Sequence, residues 1–361
     1  MTRSLASLAL VLLLSACGGT PPITSCEPGN GITPDCRFQN PEDLVPSPAG
    51  GFILVSQYGD MAGGRPGSLV AYAPTTGAIT PLFPRADRVR PTRGWGEVDC
   101  PAPQSEVFGP HGIDIEQLVT GEHVLYVVNH GGRESVEMFE VLEHDGVVEA
   151  LWRGCVMAPP DGYFNDLVVL RSGEFRVSQM FPREANVLWT ALRMQIGRHA
   201  PGFAYHWSPA NGFERLPGSE AKFANGLEQS ADERYLYVNS YFGDEVIKVD
   251  TETGTRVGSA QVASPDNLAW SPTGELLVAS HHGGLGGTLA CQDLERGNCG
   301  FRFQIVAVDP DTLETRVLMD QEGAPMGAAT VALPFGDAVY LGTFAGDRIA
   351  RVDASILAPP R

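Results

Sequence analysis

One supersecondary unit recurs along this chain with a period of very roughly 40–70 residues, and that recurrence limits what it can fold into. The clearest copy opens with Phe223-Ala-Asn-Gly-Leu-Glu-Gln-Ser-Ala-Asp232. It continues through Tyr235-Leu-Tyr-Val-Asn239 and Glu245-Val-Ile-Lys-Val-Asp250, then turns at Thr253-Gly254 into a last strand. The next copy repeats the plan: Asp266-Asn-Leu-Ala-Trp-Ser-Pro-Thr-Gly274, Leu276-Leu-Val-Ala-Ser280, Phe303-Gln-Ile-Val-Ala-Val-Asp309 and Thr315-Arg-Val-Leu318. Further copies start near Glu42, Pro110, Phe164 and Pro325, which makes six. Short β-branched and aromatic runs between Gly and Pro turns are strands. A unit of three or four strands cannot bury both of its faces alone. Six such units packed around an axis predict an all-β fold, a six-bladed β-propeller. The last unit has only three strands of its own: Ala328 to Leu333, Ala338 to Thr343 and Arg348 to Asp353. The segment near Cys36 to Gln39 is therefore expected to add the outer strand and close the ring.

Two insertions interrupt the pattern. Arg85 to Ser105 is Pro/Arg-rich, carries Cys100 and reads as a long ordered loop. Within Pro182 to Ala200, the residues Ala185, Leu188, Trp189, Leu192 and Ile196 recur at helical spacing. They predict one short amphipathic helix near the channel mouth, placed to cover that mouth, to lie on a lipid surface or simply to cap one end of the core.

The N-terminus is a targeting segment. Arg3 precedes a short apolar run, Leu5 to Leu14, that ends in Leu14-Ser-Ala-Cys17. This resembles a bacterial lipoprotein signal. The resemblance implies a signal peptide over residues 1–16, lipidation of Cys17 and a flexible tether over residues 17–35. The propeller domain then spans residues 36–361. Gly18 after the lipidated cysteine points to the outer membrane, so the protein is expected to be exported and membrane-tethered through its lipid. Six cysteines remain: Cys26, Cys36, Cys100, Cys155, Cys291 and Cys299. In an exported chain they suggest disulfides. Cys26–Cys36 and Cys291–Cys299 would close small loops and leave Cys100–Cys155, but six cysteines allow fifteen connectivities. With 43 acidic against 25 basic residues the net charge is −18. No Lys/Arg cluster stands out, which argues against nucleic acid as a partner, and no obligate protein partner is evident.

In a propeller the first strand of each blade lines the channel. Those positions read Pro41-Glu-Asp43, Pro110-His-Gly-Ile113, Phe164-Asn-Asp-Leu167, Ala224-Asn-Gly226 and Pro265-Asp-Asn267. Any one of these is an ordinary turn sequence. Five at equivalent places make a set of oxygen donors suited to a hard cation: Glu42, Asn165, Asn225, Asp266 and Asn267 combine two charges with three amides. Asp43 and Asp166, one residue further on, point away from that set and can hold a second ion deeper, with the Ile113 carbonyl. His111 and His130 stand at the ends of neighbouring strands, separated by the apolar run Glu122-His-Val-Leu-Tyr-Val-Val128. Turns at Gly112 and Gly131-Gly132 can bring both imidazoles to one rim, where a histidine pair can relay a proton near neutral pH.

Pro110-His-Gly-Ile113, Val128-Asn-His130, Asn165-Asp-Leu167, Phe223-Ala-Asn-Gly226, Asp266-Asn267 and His281 after an apolar strand resemble the paraoxonase/arylesterase family, as does the Glu42-Asp43 pair. The likeness runs from about Glu42 to about Asp353. Wider relatives of the senescence-marker/gluconolactonase kind share the acidic and amide ligands but lack the histidine pair. The resemblance implies two calcium ions. One is catalytic, on Glu42, Asn165, Asn225, Asp266 and Asn267; one is structural, on Asp43, Asp166 and the Ile113 carbonyl. It implies hydrolysis of a small-molecule lactone or aryl ester, with His111 as base, His130 as its partner and His281 as a further site histidine. No Gly-x-Ser-x-Gly nucleophile is present, which disfavours a serine mechanism. The alternatives are a gluconolactonase-type sugar lactonase and a non-catalytic binding propeller stabilised by calcium. The chain departs from paraoxonases in having no cysteine after Cys299 to tie its ends together, and in its Cys100 insertion and Cys291–Cys299 loop.

Overall fold

The computed structural model describes residues 21–59, 65–197, 199–291, 294 and 296–358. Its strands group into six four-stranded antiparallel sheets, the expected six-bladed propeller. In blades 1 to 5 spatial order follows chain order, so each sheet is a meander that starts at the axis and runs outwards. The innermost strands are Pro41–Pro46, Pro110–Gln117, Phe164–Val169, Ala224–Gln229, Pro265–Trp270 and, in blade 6, Ala329–Phe335.

Blade 6 takes its outer strand from the N-terminal end of the chain, as expected, but from Ile32–Asp35 rather than Cys36 to Gln39. Ile32 pairs with Val352 and Asp35 with Ile349. The reason is geometric: from the rim, the chain must still cross to the axis at Pro41. Residues 37–40 make that crossing, with the Phe38 amide on the Asp347 carbonyl (2.9 Å) and the Asn40 amide on the Gly346 carbonyl (2.7 Å). Part of the stretch expected to be a tether is thus bound to the propeller. Ile23 and Asn298 exchange backbone bonds of 2.8 and 2.9 Å. The fully buried Arg348 donates to the carbonyls of Ile23, Ser25 and Pro325. The expected signal peptide and the lipidation site Cys17 lie outside the described residues.

The core lies between blades, which explains the unbroken apolar run from Val124 to Val128. Leu125 and Val127 pack with Leu54, Leu69 and Phe83 of blade 1. Val124, Tyr126 and Val128 pack with Phe164 and Phe175 of blade 3. Side chains alternate across a strand, and here both faces are covered. Cysteines pair as Cys26–Cys36, Cys100–Cys155 and Cys291–Cys299, with Cα separations of 6.2, 5.6 and 5.5 Å. The Arg85 to Ser105 insertion runs along the outer strand of blade 2, Val147–Met157, with parallel bridges from Val89 to Trp152 and from Gly96 to Cys155. It covers what would be an open sheet edge.

Helix α1 (Val187–Ile196) is capped by Asn186, whose Oδ1 accepts the Trp189 amide at 2.9 Å. Ala191 and Met194 are buried beside Met180 and Phe181. The apolar stripe of Leu188, Trp189, Leu192 and Ile196 faces outwards, with Ile196 76% exposed. A second short helix, α2 (Gly284–Cys291), has no counterpart in the sequence expectation, because three of its eight residues are glycine.

Candidate active site

At each innermost strand the ladder slips in the same place. The breaks fall between Pro41 and Asp43, Pro110 and Ile113, Phe164 and Leu167, Ala224 and Leu227, Pro265 and Leu268, and Ala329 and Ala332. Inside the slips lie Glu42, His111, Asn165, Asp166, Asn225, Asp266, Asn267 and Thr330. A bulge releases residues from the ladder and re-aims their side chains, and here it does so six times around one axis. Two bulges need glycine. A Cβ on Gly112 would lie 2.5 Å from Asp166 Cα, and one on Gly226 would lie 2.4 Å from the Asp266 carbonyl oxygen.

Four of the five upper donors form two hydrogen-bonded pairs between blades. Asn267 Nδ2 donates to Glu42 Oε1 at 2.9 Å, and Asn225 Nδ2 to Asp266 Oδ1 at 2.6 Å. Asn165 directs its Nδ2 at the Met180 sulfur, 3.6 Å away. Thr330, at the equivalent place in blade 6, donates to the Glu42 carbonyl at 2.6 Å and closes the ring. Glu42 Oε2, Asn225 Oδ1 and Asn267 Oδ1 are buried and accept no hydrogen bond. Three orphan oxygens from three blades are costly, and a hard cation is the partner that their chemistry fits. Burial, then the neighbouring Asp43 and Asp266, pushes Glu42 well up; burial pushes Asp266 up to about 7. Among the described residues no cluster of three or more His, Cys, Asp or Glu has metal-site geometry. Three of these five donors are asparagines, which such a cluster omits.

The lower set does not pass the same test. Asp43 accepts the amides of Leu44 and Ile113, and Asp166 those of Leu167 and Leu227. No oxygen of either is left without a partner, so a second ion gains no such support, and Ile113 enters through its amide. These carboxylates latch one blade to the next. Asp114 does likewise, with Oδ2 accepting the Val169 amide at 2.7 Å. Burial pushes Asp43 and Asp114 to about 7, Glu228 to about 8 and Asp166 well up.

His111 Nδ1 and His130 Nε2 are 2.9 Å apart, and His130 Nδ1 is 2.9 Å from Glu134 Oε2. Glu134 also pairs with Arg183, and its Oε1 accepts the Phe164 amide at 2.7 Å. These partners assign the protons. An ionised Glu134 only accepts, so His130 carries hydrogen on Nδ1 and accepts on Nε2, and His111 donates from Nδ1. The free lone pair of His111 is then on Nε2, 3.7 Å from Oε1 of Glu42. Burial, and then His130, holds His111 well below the ordinary histidine range, so it is neutral near pH 7.

His281 stands apart from this pair. Its Nε2 is 2.8 Å from the Ala329 carbonyl, which fixes the hydrogen there, and 3.4 Å from Asp266 Oδ2; its Nδ1 accepts from Tyr241 Oη at 3.1 Å. Burial lowers it to about 4.

The family model of arylesterases matches the chain over residues 97–348. The chain belongs to the arylesterase family. No curated protein compared with it gives a match. Among solved structures, it is similar to a luciferin-regenerating enzyme: TM-score 0.54, 14% identity, 90% of this chain and 96% of that one covered. A gluconolactonase from Xanthomonas campestris gives 0.53, 14%, 93% and 98%. Regucalcin from Agrobacterium tumefaciens, a calcium-binding protein, gives 0.50, 12%, 92% and 93%. At these identities the likeness is one of fold.

In this arylesterase-family site an arc of rings surrounds the donors. Tyr58, His130, Tyr163, Phe181, Phe223 and Tyr241 follow one another with centroids 5.4–5.7 Å apart, and Phe301 lies 4.9 Å from His281. The family match leaves blade 1 outside, so Glu42 and Asp43 are tied to the site by geometry rather than by that match. Sequence reasoning missed Glu134, Arg183, Thr330, Asp114 and Glu228. The sixth repeat did carry a signal for Thr330, since it aligns with Glu42 and Asp266. Glu134 offered only its spacing of four from His130, and Arg183 offered none.

Proposed function

We propose that this chain is a calcium-dependent hydrolase of lactones and aryl esters. The observation that carries the proposal is that the free lone pair of His111 lies 3.7 Å from Glu42, whose Oε2 is, with Asn225 Oδ1 and Asn267 Oδ1, one of three buried orphan oxygens on the innermost strands. Glu42, Asn165, Asn225, Asp266 and Asn267 would hold one calcium ion. Bound there, calcium would polarise the acyl oxygen and favour the oxyanion of a tetrahedral intermediate.

The protein's own groups do the rest. His111 Nε2 accepts a proton as water adds to the acyl carbon, and later returns it to the leaving alkoxide or phenoxide. His130 accepts the His111 Nδ1 hydrogen bond and spreads the developing charge towards Glu134. Tyr58, Tyr163 and Phe181 favour an apolar acyl or aryl group over a polyhydroxylated sugar. The chain is further proposed to be exported and held at a bacterial outer membrane by a lipid on Cys17, with the exposed stripe of α1 able to rest on that surface.

The test is turnover of phenyl acetate, an aliphatic lactone and gluconolactone, with calcium and after chelation. The proposal expects calcium-dependent turnover of the ester or the aliphatic lactone, lost in His111→Gln. Turnover of gluconolactone alone would make the protein a sugar lactonase. No turnover, with calcium still raising Tm, would make it a binding propeller.

A further inference from the structure

Behind His130 stand Glu134, on the turn that follows it, and Arg183, paired with that carboxylate. Glu134 is 7% exposed, and both of its carboxylate oxygens and its carbonyl have partners. Oε2 meets both His130 Nδ1 and Arg183, Oε1 accepts the Phe164 amide, and its carbonyl accepts the Ala158 amide at 3.1 Å. Arg183 follows the second strand of blade 3, Phe175–Gln179, and its amide donates to the Asp161 carbonyl at 3.1 Å. Its guanidinium lies 5.8 Å from the centroid of Tyr163, whose ring in turn touches His130 at 5.4 Å. Arg183 is also four residues before α1, the helix with the exposed apolar stripe.

We propose that Glu134 and Arg183 are positioning residues for hydrolysis: Glu134 holds His130 in the tautomer that accepts from His111, and Arg183 balances the charge of Glu134 and ties that brace to the segment leading into α1. This rests on the hydrolase reading above. The chemistry is that of a carboxylate orienting an imidazole whose other nitrogen does the work. With Glu134 neutral, His130 is free to place its hydrogen on Nε2, facing His111, and the relay is then broken. With Arg183 absent, the carboxylate is uncompensated and holds the imidazolium more tightly. The groups that face His130 are His111 on the inner strand of blade 2, Glu134 on its own turn, Tyr58 of blade 1, Tyr163 before blade 3, and Arg183 through Glu134.

Because Glu134 also holds backbone amides, lost activity alone does not separate positioning from folding. Two variants with opposite electrostatics do. Glu134→Gln is expected to lower kcat on phenyl acetate by on the order of 10²-fold, with KM within about twofold, and to move the acid limb of kcat/KM to lower pH. Arg183 is exposed, so Arg183→Met leaves folding intact, and it is expected to move the same limb to higher pH. The ¹⁵N titration of the His130 imidazole, assigned with His130→Gln, should shift in the same two directions. That readout needs no turnover, so it decides the brace even if wild-type protein hydrolyses nothing and the hydrolase reading fails. Should Glu134→Gln fail to fold, Arg183→Met still decides. A limb and an imidazole titration that stay put in the variants, or move the same way in both, overturn the proposal.

Discussion

Asn267 donates to Glu42 across 225 residues of chain, Nδ2 to Oε1 at 2.9 Å, and each keeps one oxygen with no partner. The bond joins blade 5 to blade 1 and leaves Glu42 Oε2 and Asn267 Oδ1 buried without a partner, as is Asn225 Oδ1 in blade 4. Glu42→Gln removes one of two charges from the set. It should weaken calcium binding by about 100-fold, equivalent to about 2.7 kcal/mol. Asn267→Ala should weaken it less, since it removes a neutral donor. Calorimetric calcium titration measures both, and equal affinity in wild type and Glu42→Gln would place the ion elsewhere.

Chelation should make stability depend on pH in an unusual sense. Burial pushes Asp43 and Asp266 from 3.8 to about 7. Each therefore binds its proton more tightly folded than unfolded. That contribution to stability is complete below about pH 4 and is lost as pH rises to about 7. The Tm of calcium-free protein should fall between about pH 5 and pH 8, and calcium should restore it most at the alkaline end. A calcium-free Tm that is flat across this range would count against buried carboxylates that hold their protons in the folded state.

His111→Gln keeps the shape of the bulge but removes the base. Its kcat should drop by about 10²–10⁴-fold with little change in Tm or calcium affinity, because His111 is not among the oxygen donors. Stopped-flow or steady-state assay on phenyl acetate reads the first quantity and scanning calorimetry the second. An equal fall in Tm would mean that the residue acts through folding.

Gly112 permits the contact between blades 2 and 3. Gly112→Ala sets a Cβ 2.5 Å from Asp166 Cα and should cost about 3 kcal/mol. Gly286 in α2 is the control, since a Cβ there meets nothing within 4 Å. Gly286→Ala should stabilise by about 0.5–1 kcal/mol. Urea unfolding of both variants compares them directly.

Arg348→Met removes the donor that holds three carbonyls, those of Ile23, Ser25 and Pro325. It should destabilise by about 3 kcal/mol, and amide exchange should rise first over residues 23–35. Uniform exchange across all blades would instead show that the N-terminal segment and the ring open together.

Much of this was legible because propeller repeats are local. Each hairpin of blade 4, from Ala224 to Gln261, writes its own alternation and turns, and the donors recur at the same step of successive units. The histidine pair was legible for the same reason: His111 and His130 flank one hairpin, and the apolar run between them sets their register. The closing strand was misplaced by four residues, since nothing in Ile32-Thr-Pro-Asp35 says where a distant Ile349–Asp353 will offer its edge. The face of α1 was hidden too. Its periodic stripe marks the apolar side, while the packing chose Ala191 and Met194 as the buried side.

By itself, the order of residues determined the six units, the recurrence of an oxygen donor at the same step of successive units and the two histidines, because each is written within a few tens of residues. Only the tertiary structure decided which oxygens stay unpaired, that Asp43, Asp114 and Asp166 spend theirs on the next blade, and that Glu134 and Arg183 stand behind His130. Those outcomes depend on where six bulged strands converge. Burial there turns small differences in position into the difference between a satisfied oxygen and an orphan one.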